Sequence, residues 1–143
     1  MRFEYKVEGG DFTHAGSASS NVKKVLKQLN VDPLLIKRIV VSLYEAEVNI
    51  VAHAYRGVIE VDIEMDKVFL KLTDEGPGIA DIEMAMKEGF STASPKVREM
   101  GFGAGMGLSN IKKNADLLDI ESEVGKGTCV QITTYLHLNE FKE

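Results

Sequence analysis

With 143 residues, of which 44% are hydrophobic, the chain has material for one domain with a sizeable core, and we expect a single domain over 1–143. A net charge of −5 argues against non-specific nucleic-acid binding and offers no polybasic membrane patch. One cysteine, Cys129, excludes an internal disulfide and a cysteine zinc cluster, and no apolar run reaches signal-peptide or membrane-span length, so the expected location is cytoplasmic.

Residues 2–8 alternate bulk and charge, which predicts a first strand ended by Gly9-Gly10-Asp11. A helix starting near Thr13 or Ser17 would carry Val22, Val25, Leu26 and Leu29 on one stripe. Asp32-Pro33 is a start signal for a second helix, running from Pro33 to about Tyr55. Val58 to Met65 alternates at period two, and Asp66-Lys67 separates it from Val68-Phe69-Leu70-Lys71-Leu72, so the pair reads as a hairpin ending at Asp74. A short helix fits Ala80 to Glu88, and Leu108 to Leu118 regains helical spacing. Between them, about 89–106 is glycine-rich with few apolar anchors and reads as a functional lid, flexible without a ligand. Ile120 to Glu123, a turn at Gly125-Lys126-Gly127, and Thr128 to Leu138 predict a closing antiparallel pair, in which Cys129 is expected to pack as a small core residue. The order predicts an α+β, two-layer sandwich: a mixed, mostly antiparallel sheet covered on one face by about three helices.

Three stretches carry candidate chemistry. On the second helix, about 100° per residue gathers Arg38, Ser42, Glu45, Asn49 and His53 into a polar stripe expected to face away from the core, opposite Ile36, Ile39, Val40, Leu43 and Ile50. Glu45 and Asn49 stack four residues apart, where a carboxylate could polarise a nucleophile and an amide oxygen could bind a hard cation. Glu47 falls roughly 200° from Glu45, inside the apolar arc, and must either find a partner or mark an uncovered place. Thr73-Asp74-Glu75-Gly76-Pro77-Gly78-Ile79 delivers an acceptor-only carboxylate into a glycine turn, suited to an exocyclic amine. Gly101-Phe102-Gly103-Ala104-Gly105-Met106-Gly107-Leu108-Ser109-Asn110 precedes a helix, so its backbone N–H groups could converge on phosphate. Neither common nucleotide fingerprint fits: Met106 and Leu108 fall where the third glycine of Gly-x-Gly-x-x-Gly should be, and Gly125-Lys126 is followed by Gly127.

In order, Glu45-x-x-x-Asn49, Asp74-x-Gly76-x-Gly78, the glycines from 101 to 107 and Gly125-Lys126-Gly127-Thr128 resemble the motifs of the GHKL (Bergerat-fold) ATPases. Ser42 to Asn49, His53-Ala54-Tyr55, Gly89-Phe90-Ser91-Thr92 and Ile120 to Thr128 look most like the small anti-sigma-factor serine/threonine kinases and their partner-switching relatives. The resemblance implies ATP and Mg²⁺ as cofactors. It implies that Asp74 accepts from the adenine amine with Thr128 nearby through a water, that Asn49 ligands Mg²⁺, and that Glu45 is the general base. Gly76, Gly78 and Ile79 would shape the nucleotide pocket, while Gly101, Gly103, Gly105, Met106, Gly107 and Leu108 would close over the phosphates. The implied substrate is a small anti-anti-sigma-like protein, and a sigma factor and a second copy of the chain stay open as further partners. The alternatives are a histidine-kinase-like domain acting in trans and a nucleotide-gated binding module with little turnover.

Overall fold

The computed structural model describes residues 1–87 and 107–136. The expected lid at about 89–106 lies outside them, and with it Gly101, Gly103, Gly105 and Met106. Five strands form one sheet in the order β1-β2-β3-β5-β4: β1 (Arg2–Glu8), β2 (Arg56–Ile63), β3 (Lys67–Glu75), β4 (Leu117–Glu123) and β5 (Gly127–Tyr135). The sequence allowed a mixed sheet, but every pairing is antiparallel. Among the described residues the helices are α1 (Ser17–Gln28), α2 (Pro33–His53), α3 (Ile82–Ala85) and α4 (Gly107–Asn114), with a 3-10 turn at Phe12–His14.

One sheet face is apolar because side chains alternate along each strand. Ile59 and Val61 of β2, Val68, Leu70 and Leu72 of β3, and Val130 and Ile132 of β5 all point to the helices and are buried. They meet Ile36, Ile39, Leu43 and Ile50 of α2, Val22 and Leu26 of α1, and Ile111 of α4 in one cluster. The other face carries Glu60, Lys71, Gln131 and Asp119 in register across four strands, which leaves it to solvent. Among the described residues no helix is long and apolar enough to cross a membrane.

Helix starts follow local chemistry. Asp32 caps α2, its carboxylate accepting from Leu34 N at 2.8 Å, with Pro33 in the first turn. Gly16, at the start of α1, has φ 93 and no side chain to cap with. Glu47 of α2 supplies the missing cap: its oxygens accept from Gly16 N (3.0 Å), Ala18 N (3.2 Å), Ser19 N (3.1 Å) and Ser19 Oγ (2.6 Å). Of the two outcomes open for Glu47, it has found partners, and it is 2% exposed.

Several expectations are corrected. The helix expected to reach Leu118 stops at Asn114, and Leu117 begins β4, because Leu118 and Ile120 alternate inward with Ser122. Helix α2 ends at His53, two residues short of Tyr55, and α3 is confined to Ile82–Ala85. Cys129 is half-buried on the outer sheet face, since Thr128 and Val130 take the inward phase. Ser42, expected on a stripe turned from the core, is fully buried. The stripe itself is covered, because α4 lies across it.

Candidate functional site

The site has two parts joined by the C-terminal half of α2. The first is a corner where β3 leaves the sheet. Asp74 shares the inward phase of Leu70 and Leu72 but lies beyond the apolar cluster, one residue from the strand's end. Its Oδ1 accepts from Thr128 N at 3.1 Å, which sets Thr128 beside it. Among the described residues Oδ2 has no hydrogen-bond partner, so one lone-pair face remains for a ligand donor. Burial pushes the Asp74 carboxyl up from its ordinary range, and the Thr128 N–H pulls it back in part.

The glycine turn is held against the closing hairpin. Gly76 N donates to Lys126 O at 3.0 Å, and Gly125 N donates to Pro77 O at 2.8 Å. Gly78 has φ 77, and a Cβ there would lie 2.4 Å from Glu123 O, so only glycine lets the turn pass. Ile79 N donates to Ser122 Oγ at 2.7 Å, and Ser122 Oγ lies 2.8 Å from Thr128 Oγ1 and 3.1 Å from Gly127 O. Ser122 thereby ties Ile79 to Thr128. No role was assigned to it from sequence, although its place in the inward phase of β4, after Leu118 and Ile120, was a usable signal.

The second part lies along α2. A Cβ on Gly76 would be 3.0 Å from Ala54 Cα, which puts the corner beside the helix end. Asn49 lies five residues back, about 7.5 Å along the axis, and Glu45 roughly 6 Å further. Helix α4 covers both. A Cβ on Gly107 would lie 3.0 Å from Asn49 Oδ1, so glycine admits the start of α4 against that amide. Asn110 Nδ2 donates to Glu45 Oε2 at 2.9 Å. Leu108 packs half-buried against the core. Further along, Arg38 clamps the helix end, donating through Nε to Asn114 O at 3.0 Å and through a terminal nitrogen to Asp116 Oδ1 at 2.9 Å. His53, in the last turn of α2, is held by burial below its ordinary 6.5.

The residues present fit a magnesium nucleotide. The Asn49 side chain, well inside α2, makes no hydrogen bond to the described residues, leaving a hard amide oxygen. No group of three or more His, Cys, Asp or Glu side chains among those residues could cage a metal. An amide oxygen is a hard donor of the kind that can join phosphate oxygens around Mg²⁺. The structure thus brings together Asp74, Gly76, Gly78, Ile79 and Thr128 in one corner, and Glu45, Asn49, Gly107 and Leu108 along the helix pair.

Known proteins resemble this chain in sequence and in fold. Residues 10–134 match the family model described as a histidine kinase-like ATPase domain. An anti-sigma F factor of Caldanaerobacter subterraneus is 36% identical over 116 residues, covering 76% of this chain and 78% of the relative. The serine/threonine-protein kinase RsbT of Bacillus subtilis is 33% identical over 118 residues, covering 80% and 83%. In fold, the chain is similar to a crystal structure of the RsbU and RsbW domains of a Mycobacterium tuberculosis protein, with TM-score 0.65 and 15% identity, covering 95% of this chain and 32% of that longer one. A mycobacterial sensor histidine kinase, MprB, superimposes with TM-score 0.54 at 16% identity, covering 96% and 99%. With a family model spanning most of its length and relatives above 30% identity, the chain belongs to the histidine kinase-like ATPase domain family.

Proposed function

We propose that this chain is a single ATP-binding domain over 1–143, with a lid at about 89–106, that acts as a Mg-ATP-dependent serine/threonine kinase on a small anti-anti-sigma-like protein. The observation that carries the reading is the arrangement along α2: a carboxylate and an amide oxygen one turn apart, both against the first turns of α4, beside a corner whose Asp74 keeps a free acceptor. In this reading Asp74 Oδ2 accepts from the adenine amine, and the Gly76-Pro77-Gly78 turn with Ile79 walls the base. Asn49 holds the metal through its amide oxygen, and the N–H groups opening α4 at Gly107 and Leu108 face the phosphates, with Gly101, Gly103, Gly105 and Met106 completing that contact. Mg-ATP supplies the phosphoryl group and neutralises its charge. Glu45 takes the proton of the attacking hydroxyl. The names of the relatives, anti-sigma F factor and serine/threonine-protein kinase, support a protein hydroxyl as acceptor.

The test uses two variants and two readouts. Glu45→Gln should keep Mg-ATP affinity while phosphoryl transfer falls by roughly 10² to 10⁴. Asn49→Ala should weaken Mg-ATP binding itself, measured by calorimetry. A labelled partner whose phosphate survives acid supports a hydroxyl acceptor, and acid-labile phosphate would point to an imidazole. Tight Mg-ATP binding with turnover unaffected by Glu45→Gln would favour a nucleotide-gated binding module instead.

A further inference from the structure

We infer that Asn110 is a positioning residue for Glu45: its side-chain amide holds one carboxylate oxygen so that the other is presented to the attacking nucleophile. The inference rests on Glu45 being the base, as proposed above.

A glutamate side chain has three rotatable bonds, and an unrestrained one spreads its carboxylate over many orientations. Here Asn110 Nδ2 donates to Glu45 Oε2 at 2.9 Å, and Oε1 has no hydrogen-bond partner among the described residues. A carboxylate only accepts, so the NH₂ of the Asn110 amide must be the end facing Glu45. One oxygen is thus fixed and the other left open, which is the geometry a proton acceptor needs.

Asn110 can impose this geometry because its own helix is anchored on α2 from both sides. Ile111, the next residue, is fully buried in the core. Arg38 holds the other end of α4 through Asn114 O and Asp116. Asp116 Oδ2 in turn accepts from Tyr135 N at 2.7 Å, tying that end to β5. At the near end, Gly107 abuts the Asn49 amide. The turn that carries Asn110 therefore touches both proposed functional side chains of α2, and its position sets where the Glu45 carboxylate lies relative to Asn49. A donor held on a rigid element orients its partner better than one on a loop.

The experiment combines an activity-independent arm with a kinetic one. In ¹⁵N-labelled protein, the two Asn110 side-chain amide protons should be widely separated in shift, one of them bonded, and Glu45→Ala should collapse the separation. Free-amide shifts in the wild-type protein would overturn the inference whatever the turnover. In the kinetic arm, Mg-ATP hydrolysis is followed by ADP release, with Mg-ATP affinity measured separately. Asn110→Leu should lower kcat by roughly ten- to a hundredfold, with affinity for Mg-ATP within about threefold. Asn110→Ala replaces it if the leucine variant does not fold. The deciding comparison is the double variant Glu45→Gln/Asn110→Leu, which should turn over no more slowly than Glu45→Gln alone, because Asn110 acts only through Glu45. Additive losses would mean a general structural role and would overturn the inference. Full activity in Asn110→Leu with a slow Glu45→Gln would overturn the inference and leave Glu45 as the base. Full activity in Glu45→Gln would overturn the base assignment and this inference with it.

Discussion

Burial raises the pKa of Asp74 because a half-buried carboxylate loses hydration that the single Thr128 N–H replaces only in part. With the folded pKa above the unfolded one, the folded state binds more protons between the two, so stability falls as pH rises through that interval. Above it the full cost is present. Asp74→Asn keeps an acceptor and removes the charge, so the nucleotide-free protein should melt higher than wild type. The same change presents a donor to the adenine amine and should abolish the rise in melting temperature that Mg-ATP or Mg-ADP produces by linkage. Thermal melts with and without nucleotide check both halves, and an unchanged ligand shift in the folded variant would remove the adenine assignment. His53 has the opposite sign: its pKa is lowered from 6.5 by burial, so stability is lost as pH falls through about 6.5. Melts between about pH 7.5 and about pH 5.5 should show a drop that His53→Gln reduces. Asp74 was legible from the strand-to-glycine pattern around it. Ser122 showed only its inward phase on β4, because its role comes from the Ser122↔Thr128 pairing of β4 with β5 and from contact with Ile79, a residue 43 positions away.

Two neighbouring elements divide the helical faces of α2 between them. Glu45 faces α4 and Glu47 faces the start of α1, as the roughly 200° between them requires. Glu47 accepts four hydrogen bonds at 2% exposure, so α1 begins where α2 tells it to begin. Glu47→Gln turns an acceptor pair into one acceptor and one donor facing N–H groups, and should cost about 2–3 kcal/mol of stability. Because this side chain points away from Glu45 and Asn49, hydrolysis of Mg-ATP per folded molecule should be largely retained. Denaturant melts and ADP release measure the two effects separately. Helical periodicity placed Glu45 and Asn49 on one face correctly. It could not say that this face was covered, since α4 comes from a stretch more than fifty residues later in the chain and brings its own hydrogen-bond donors.

Across the whole molecule, the sheet and α2 bury hydroxyls that gain nothing from burial. Among the described residues, Thr134 Oγ1 and Ser42 Oγ are buried without a hydrogen-bond partner. A buried hydroxyl left unpaired costs free energy, and valine has nearly the shape of threonine. Thr134→Val should therefore raise stability by about 1 kcal/mol, or roughly 3–5 °C in melting temperature for a chain of this size. Loss of stability in that variant would show that the hydroxyl has a partner in solution. The sequence by itself determined the elements and their apolar faces, because period-two and helical spacings are local and burial of those faces admits few layer arrangements. It also determined the residue types at the Asp74 corner and on α2, since a carboxylate entering a glycine turn is a local pattern. The tertiary structure alone decided that β3 pairs with β5, that α4 lies over the polar flank of α2, and that Glu47 caps α1. It also decided that Asn110 meets Glu45. Each of these depends on polar groups far apart in the chain finding one another, and no local spacing encodes a hydrogen bond between residues 45 and 110.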